Sequence, residues 1–137
     1  MDRLLLVLGA VTIAGAVGSL LGRRPGAPAA NTHNVPVLLD RNDFDRPEAA
    51  WLVAVFTSST CNTCAGVWER AEVLASDHVV VQRLDYQTEK RLHDRYNIDG
   101  VPTVAIADQD GTVVRGFLGP LTASDLWAAL AEARDAG

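Results

Sequence analysis

Two cysteines, three positions apart, sit where one hydrophobic pattern gives way to another, and that junction fixes much of what the chain can fold into. Cys61 and Cys64 are the only cysteines in the chain. Ahead of them, Leu52 to Thr57 is apolar and rich in Val and Phe without helical period. Such a run suits a strand buried on both faces, at the centre of a sheet. After them, Val67, Trp68, Ala71, Val73 and Leu74 recur at the spacing of one helix face. The intervening Ser58-Ser59-Thr60 is a polar stretch able to cap a helix, so a helix is expected to start close to Cys61.

The flanking segments extend this strand-helix unit. Val35 to Asp40 is a short apolar run ending in Asp-Arg-Asn-Asp, which reads as a strand followed by a turn and a short helix near Phe44. Val79 to Leu84 reads as a second buried strand, Glu89 to Tyr96 as a short polar helix, and Asn97 to Gly100 as a turn tolerant of positive φ. Thr103 to Ala107 and Thr112 to Leu118 read as strands joined by the hairpin signal Asp108-Gln109-Asp110-Gly111. A last helix opens on Thr122 with Asp125 three residues on, similar to a capping box. Its apolar face is expected from Leu126, Trp127, Leu130 and Ala133 or Ala131. The order β-α-β-α-β-α-β-β-α implies an α/β domain with a parallel section closed by an antiparallel hairpin and helices on both faces of the sheet.

At a helix N-terminus the first sulfur faces unpaired backbone N–H groups, which favour thiolate over thiol. Cys61 is therefore the expected nucleophile. Cys64, one turn on and toward the packed face with Val67 and Trp68, is the expected resolving thiol. Two other readings compete. A zinc site needs four ligands, and His33, His78 and His93 fit no C-x2-C plus H-x3-5-H spacing. A purely structural bridge would close so small a loop that it removes little chain entropy. No Gly-rich phosphate loop, Ser-His-Asp set or paired carboxylates stand out. Trp51, Trp68 and Trp127 fall at strand or helix positions where core packing is the ordinary role. His78 and His93 are expected in solvent-facing turns or on helix surfaces.

Phe56-Thr57-Ser58-Ser59-Thr60-Cys61-Asn62-Thr63-Cys64, with Gly100-Val101-Pro102-Thr103 beginning 36 positions after Cys64, resembles the active-site strand-helix and the cis-proline loop of the thioredoxin family. Asp110-Gly111 and Phe117-Leu118-Gly119 match the same pattern, so the resemblance covers about Val35 to Ala133. It implies a thioredoxin-like fold with a mixed five-stranded sheet and helices on both faces. It further implies that Pro102 is cis and faces the disulfide, and that Val101 offers backbone groups to an extended substrate, making Val101 and Pro102 the substrate-binding candidates. No bound cofactor and no metal are implied. The chain departs from the family in carrying Thr60 before Cys61, Asn62-Thr63 between the cysteines, and Val55 where the family has a buried carboxylate. These departures favour a slower or more specialised exchanger than a general thioredoxin.

The first 22 residues differ in composition from the rest. Leu4 to Gly22 is 19 residues without a charge. As a helix it would span roughly 28 Å, the thickness of a bilayer core. Residues 1–22 are therefore read as an N-terminal membrane anchor, 23–34 as a flexible linker rich in Gly, Pro and Ala, and 35–137 as the thioredoxin-like domain. The rival reading is a cleaved secretory signal, with Arg3 as n-region and Ala27-Pro28-Ala29 as cleavage site. The length of the run and Arg23-Arg24 after it count against that. Those two arginines against Arg3 lean toward a cytoplasmic C-terminal domain. Ala10, Ala14, Gly18 and Gly22 form a stripe that would let two such helices approach in a weak homodimer, although membrane helices are rich in Gly and Ala in any case.

From residue 31 onward there are nine Lys and Arg against sixteen Asp and Glu, the whole-chain counts of 12 and 17 less Arg3, Arg23, Arg24 and Asp2. A net charge near −7 speaks against nucleic acid, whose phosphates need a basic face. The expected function is that of a membrane-tethered thiol-disulfide oxidoreductase, exchanging disulfides with protein partners and a redox partner protein. The alternative is a non-catalytic thioredoxin-fold module that binds or assembles a membrane partner.

Overall fold

The computed structural model describes residues 35–137. The expected membrane anchor, the linker up to Asn34 and His33 lie outside the described residues. Four strands, β1 (Trp51–Thr57), β2 (Val79–Asp85), β3 (Thr103–Ala107) and β4 (Val113–Leu118), form one sheet in the order β2-β1-β3-β4. Three helices, α1 (Cys64–Glu72), α2 (Lys90–Arg95) and α3 (Ala123–Ala136), cover its two faces. β1 and β2 are parallel, while β1 with β3 and β3 with β4 are antiparallel.

β1 lies inside the sheet with Leu52 to Phe56 fully buried, which is why it reads as an unbroken apolar run rather than an alternating one. Its residues divide between two cores by the period-2 rule. Val53 and Val55 pack with Val67 and Ala71 of α1 and Leu126, Ala129 and Leu130 of α3. Leu52, Ala54 and Phe56 pack on the other face with Leu39, Phe44, Leu84 and Leu92. Each face therefore has its own helical cover.

The sheet has four strands rather than the five expected. Val35 to Asp40 contributes a single bridge, Leu38 to Thr112, with hydrogen bonds from Leu39 N to Gly111 O and from Val113 N to Val37 O. Pro36 has no N–H to continue the ladder, and Asp40 caps a 3-10 turn at Arg41–Asp43 by accepting from Asn42 N. The strand is cut off at both ends, and Val37 and Leu38 remain exposed. Gly111 makes this bridge feasible. At its φ of 87°, a Cβ would lie 1.9 Å from the Leu39 carbonyl oxygen.

Several other expectations stand. β3 has the bounds read from the sequence, Asn97 has a positive φ of 53°, and the Thr122 side chain caps α3 by accepting from Asp125 N. Trp127 does not join the α3 core. It is 48% exposed, and its indole N–H donates to Arg70 O at 3.1 Å, while Ala129 takes the buried position. Among the described residues no helix is long and apolar enough to cross a membrane.

Candidate active site

Phe56 of β1 pairs with Thr103 of the antiparallel β3. The residues after Phe56 and those before Thr103 therefore leave the sheet at the same end, which brings the cysteine loop beside the loop of Val101 and Pro102. The Val101–Pro102 peptide bond is cis, and the Pro102 carbonyl accepts from Gly119 N at 2.8 Å. Thr103 Oγ1 donates to Gly100 O at 2.7 Å, closing the turn ahead of β3. All four candidate residues from the sequence, Cys61, Cys64, Val101 and Pro102, thus lie at one edge of the domain.

Cys61 and Cys64 are joined as a disulfide with Cα atoms 5.5 Å apart. Their environments differ. Cys61 lies between two turns and is partly exposed, whereas Cys64 is the first residue of α1 and fully buried. The helix therefore begins three residues later than the sequence indicates, with Thr63 as N-cap and no side-chain capping bond. The polar stretch Ser58–Thr60 has another use. Gln87 Oε1 accepts from Ser59 N at 3.0 Å and Gln87 Nε2 donates to Ser58 Oγ at 3.1 Å, while Ser58 Oγ and Thr60 Oγ1 are 3.0 Å apart. These bonds brace the loop that presents Cys61.

On the cis-proline side, Ser58, Tyr86, His93, Ile98, Asp99, Gly100 and Val101 line a shallow pocket of about 240 Å³. His93, expected at the surface, is instead 2% exposed. Its Nε2 is 2.7 Å from Leu84 O, and its ring meets Phe56 and Tyr86 edge-on. The neighbouring Leu92 is buried too, so α2 packs two adjacent residues. A polar helix with one obvious apolar position gives no sequence signal for the second.

Beneath α1, Val55 is fully buried, with no carboxylate at that position. Further along the same face, buried Thr57 accepts a hydrogen bond from Arg83 Nε at 3.2 Å, and its Oγ1 lies 3.5 Å from Asp85 Oδ2. Among the described residues no group of three or more His, Cys, Asp or Glu is placed to hold a metal ion.

The sequence pattern of the thioredoxin-like domain matches residues 46–134, which takes in the cysteines, the cis-proline loop and all four strands. The chain belongs to the thioredoxin-like family. No curated protein matches it. Among solved structures it is similar to a single-site mutant of a thioredoxin from Halobacterium salinarum, with 24% identity over 58% of this chain and 71% of that one and a TM-score of 0.51. It is also similar to the germline-specific thioredoxin Deadhead from Drosophila melanogaster, with 22% identity over 63% and 83% and a TM-score of 0.55. A malarial protein aligns at 14% identity over 61% and 96%, with a TM-score of 0.53. At these identities the likeness concerns the fold. The chemistry rests on this chain's own cysteine pair, and a thioredoxin-like domain carrying such a pair is equipped in general for thiol-disulfide exchange.

Proposed function

We propose that the chain is a protein thiol-disulfide oxidoreductase held at a membrane by residues 1–22, with Cys61 as nucleophile and Cys64 as resolving thiol. The observation that carries the assignment of roles is the difference in access between the two sulfurs, one partly exposed and the other fully buried. In the reducing direction the Cys61 thiolate attacks a partner disulfide, forming a mixed disulfide and releasing one partner thiolate. Cys64 then loses its proton and attacks the Cys61 sulfur, releasing the second partner thiolate and closing Cys61–Cys64. Two electrons pass from the dithiol to the partner, and no cofactor takes part. A redox partner protein restores the dithiol, and oxidation of a partner is the same sequence reversed.

Val101 and Pro102 are the proposed substrate contacts, because their loop flanks Cys61 and the pocket there joins Ser58 to Val101. An extended partner segment laid along this loop would bring its sulfur to Cys61.

The test is the equilibrium of the full chain with glutathione, followed by disulfide turnover of Cys61→Ser. A potential of about −270 mV marks a reductant and one of about −120 mV a disulfide donor. Wild-type turnover by Cys61→Ser would sink the exchange reading. Capture of a membrane partner that survives loss of both cysteines would favour a binding module instead.

A further inference from the structure

The exchange reading leaves a chemical requirement open. Cys64 is fully buried, and burial disfavours a thiolate, yet it must lose a proton before it can attack the mixed disulfide. Val55 beneath α1 cannot accept one. Asp85 is the only carboxylate in the four strands, so its position relative to Cys64 matters.

That position follows from the packing. β1 and β2 are parallel, so α1, which connects them, runs back antiparallel to both. Trp68 of α1 lies over Arg83 of β2, with the guanidinium 6.0 Å from the ring centroid. This contact puts Arg83, and by the period-2 rule Asp85, on the α1 face of the sheet. Cys64 precedes Trp68 by four residues and shares its helix face, displaced by about 6 Å along the axis. The same displacement along β2 is about two residues, from Arg83 to Asp85. On this spacing Cys64 falls at the end of the sheet where Asp85 and its register partner Thr57 lie.

The carboxylate is also oriented. Asp85 Oδ1 accepts from Gln87 N at 3.1 Å, and Oδ2 lies on the side of Thr57 Oγ1. Thr57 is in turn held by Arg83.

The geometry points to Asp85 as the group that takes the Cys64 proton in the resolving step, with Thr57 and Arg83 as positioning residues; the inference rests on the exchange function proposed above. The Cys64 S–H proton passes to the Asp85 carboxylate, and the Cys64 sulfur attacks Cys61. The bond from Cys61 to the partner sulfur then breaks and the partner leaves as a thiolate. The proton on Asp85 goes to that thiolate or to water, which returns the carboxylate.

The test uses the reduced full chain mixed with one equivalent of the symmetric disulfide of thionitrobenzoate. One coloured thionitrobenzoate anion is released when Cys61 attacks and a second when Cys64 closes the ring, so the two steps appear as two phases. Asp85→Asn is expected to keep the first phase within about twofold and to slow the second by about a hundredfold, the lower edge of what a positioned proton acceptor contributes. Asp85→Glu should restore most of the second phase. Thr57→Val, which keeps shape and removes the hydroxyl, should slow the second phase by a smaller factor and secures the result should Asp85→Asn fold poorly. A second phase unchanged in Asp85→Asn and Thr57→Val, or both phases slowed equally in Thr57→Val, overturns the role of Asp85 alone. No first phase in the wild type overturns the exchange reading, and this inference with it.

Discussion

Gln87 Oε1 accepts the backbone N–H of Ser59 at 3.0 Å, tying the loop that carries Cys61 to the turn that follows β2. The same side chain donates to Ser58 Oγ, so one residue holds both ends of a two-residue span just ahead of the nucleophile. Gln87→Ala removes these bonds while leaving the strands and the disulfide untouched. The expected outcome is a stability loss of about 1 kcal/mol, together with a roughly threefold slower attack by Cys61 from its less restrained position. Urea unfolding and the first phase of thionitrobenzoate release read the two effects separately. Unchanged attack kinetics would mean that the loop holds its shape without Gln87.

Tyr96 gives the stability a dependence on alkaline pH. Its hydroxyl donates to Asp43 Oδ2 at 2.5 Å and accepts from Asp40 N at 3.0 Å, joining the end of α2 to the segment ahead of β1. Burial in the first place, and the hydrogen bond to Asp43 after it, raise its pKa above the ordinary value of 10.0. The unfolded chain therefore gives up this proton at lower pH than the folded one. The contribution is fully present below about pH 10 and is lost as pH rises through the higher folded-state value. Tyr96→Phe should be less stable by about 1 to 2 kcal/mol at pH 7 and should lose less stability than the wild type between about pH 9 and 11. Denaturant midpoints across that range check it. Parallel curves for the two proteins would show that Tyr96 has no part in the pH dependence.

What the sequence discloses about this fold depends on how local the cause is. β3, the Thr122 cap, the positive φ of Asn97 and the helix after Cys64 all follow from patterns within a few residues, and each is found close to where it reads. The cysteine pair and the cis bond before Pro102 are legible through a family resemblance carried by two short motifs. The first strand is not legible, because the apolar run at Val35 ignores what Pro36 and the Asp40 cap do to its ladder. His93 and Asp85 are missed for a related reason. The Leu84 carbonyl that receives one and the Thr57 hydroxyl that faces the other lie on neighbouring elements, 9 and 28 residues away.

The buried His93 yields a prediction of its own. Its Nε2 serves the Leu84 carbonyl at 2.7 Å inside the core that α2 covers. In His93→Leu the ring volume is largely kept while this hydrogen bond is lost, leaving a carbonyl without that donor. A loss of about 1 to 3 kcal/mol is expected, with the first phase of exchange at Cys61 little changed, since His93 is buried and presents almost no surface to a partner. Thermal unfolding and exchange rate together decide it. A stable protein with slowed exchange would instead make His93 part of the substrate surface.

The proposed membrane tether is tested by where the chain goes rather than by what it catalyses. Nineteen uncharged residues from Leu4 to Gly22 carry enough apolar length to cross a bilayer core as a helix, and the domain that follows is acidic on balance, a charge that opposes adsorption to anionic lipid. Retention on membranes should therefore depend on the first 22 residues alone and should resist both high salt and alkaline carbonate. Removal of residues 1–30 should move the protein entirely to the soluble fraction with its Cys61–Cys64 exchange rates intact. The mass of the mature chain separates the two readings of this segment. A full-length product in the membrane pellet supports an anchor, and a soluble product shortened near Ala29 would mean that the segment is a cleaved signal and that exchange takes place outside the cytoplasm.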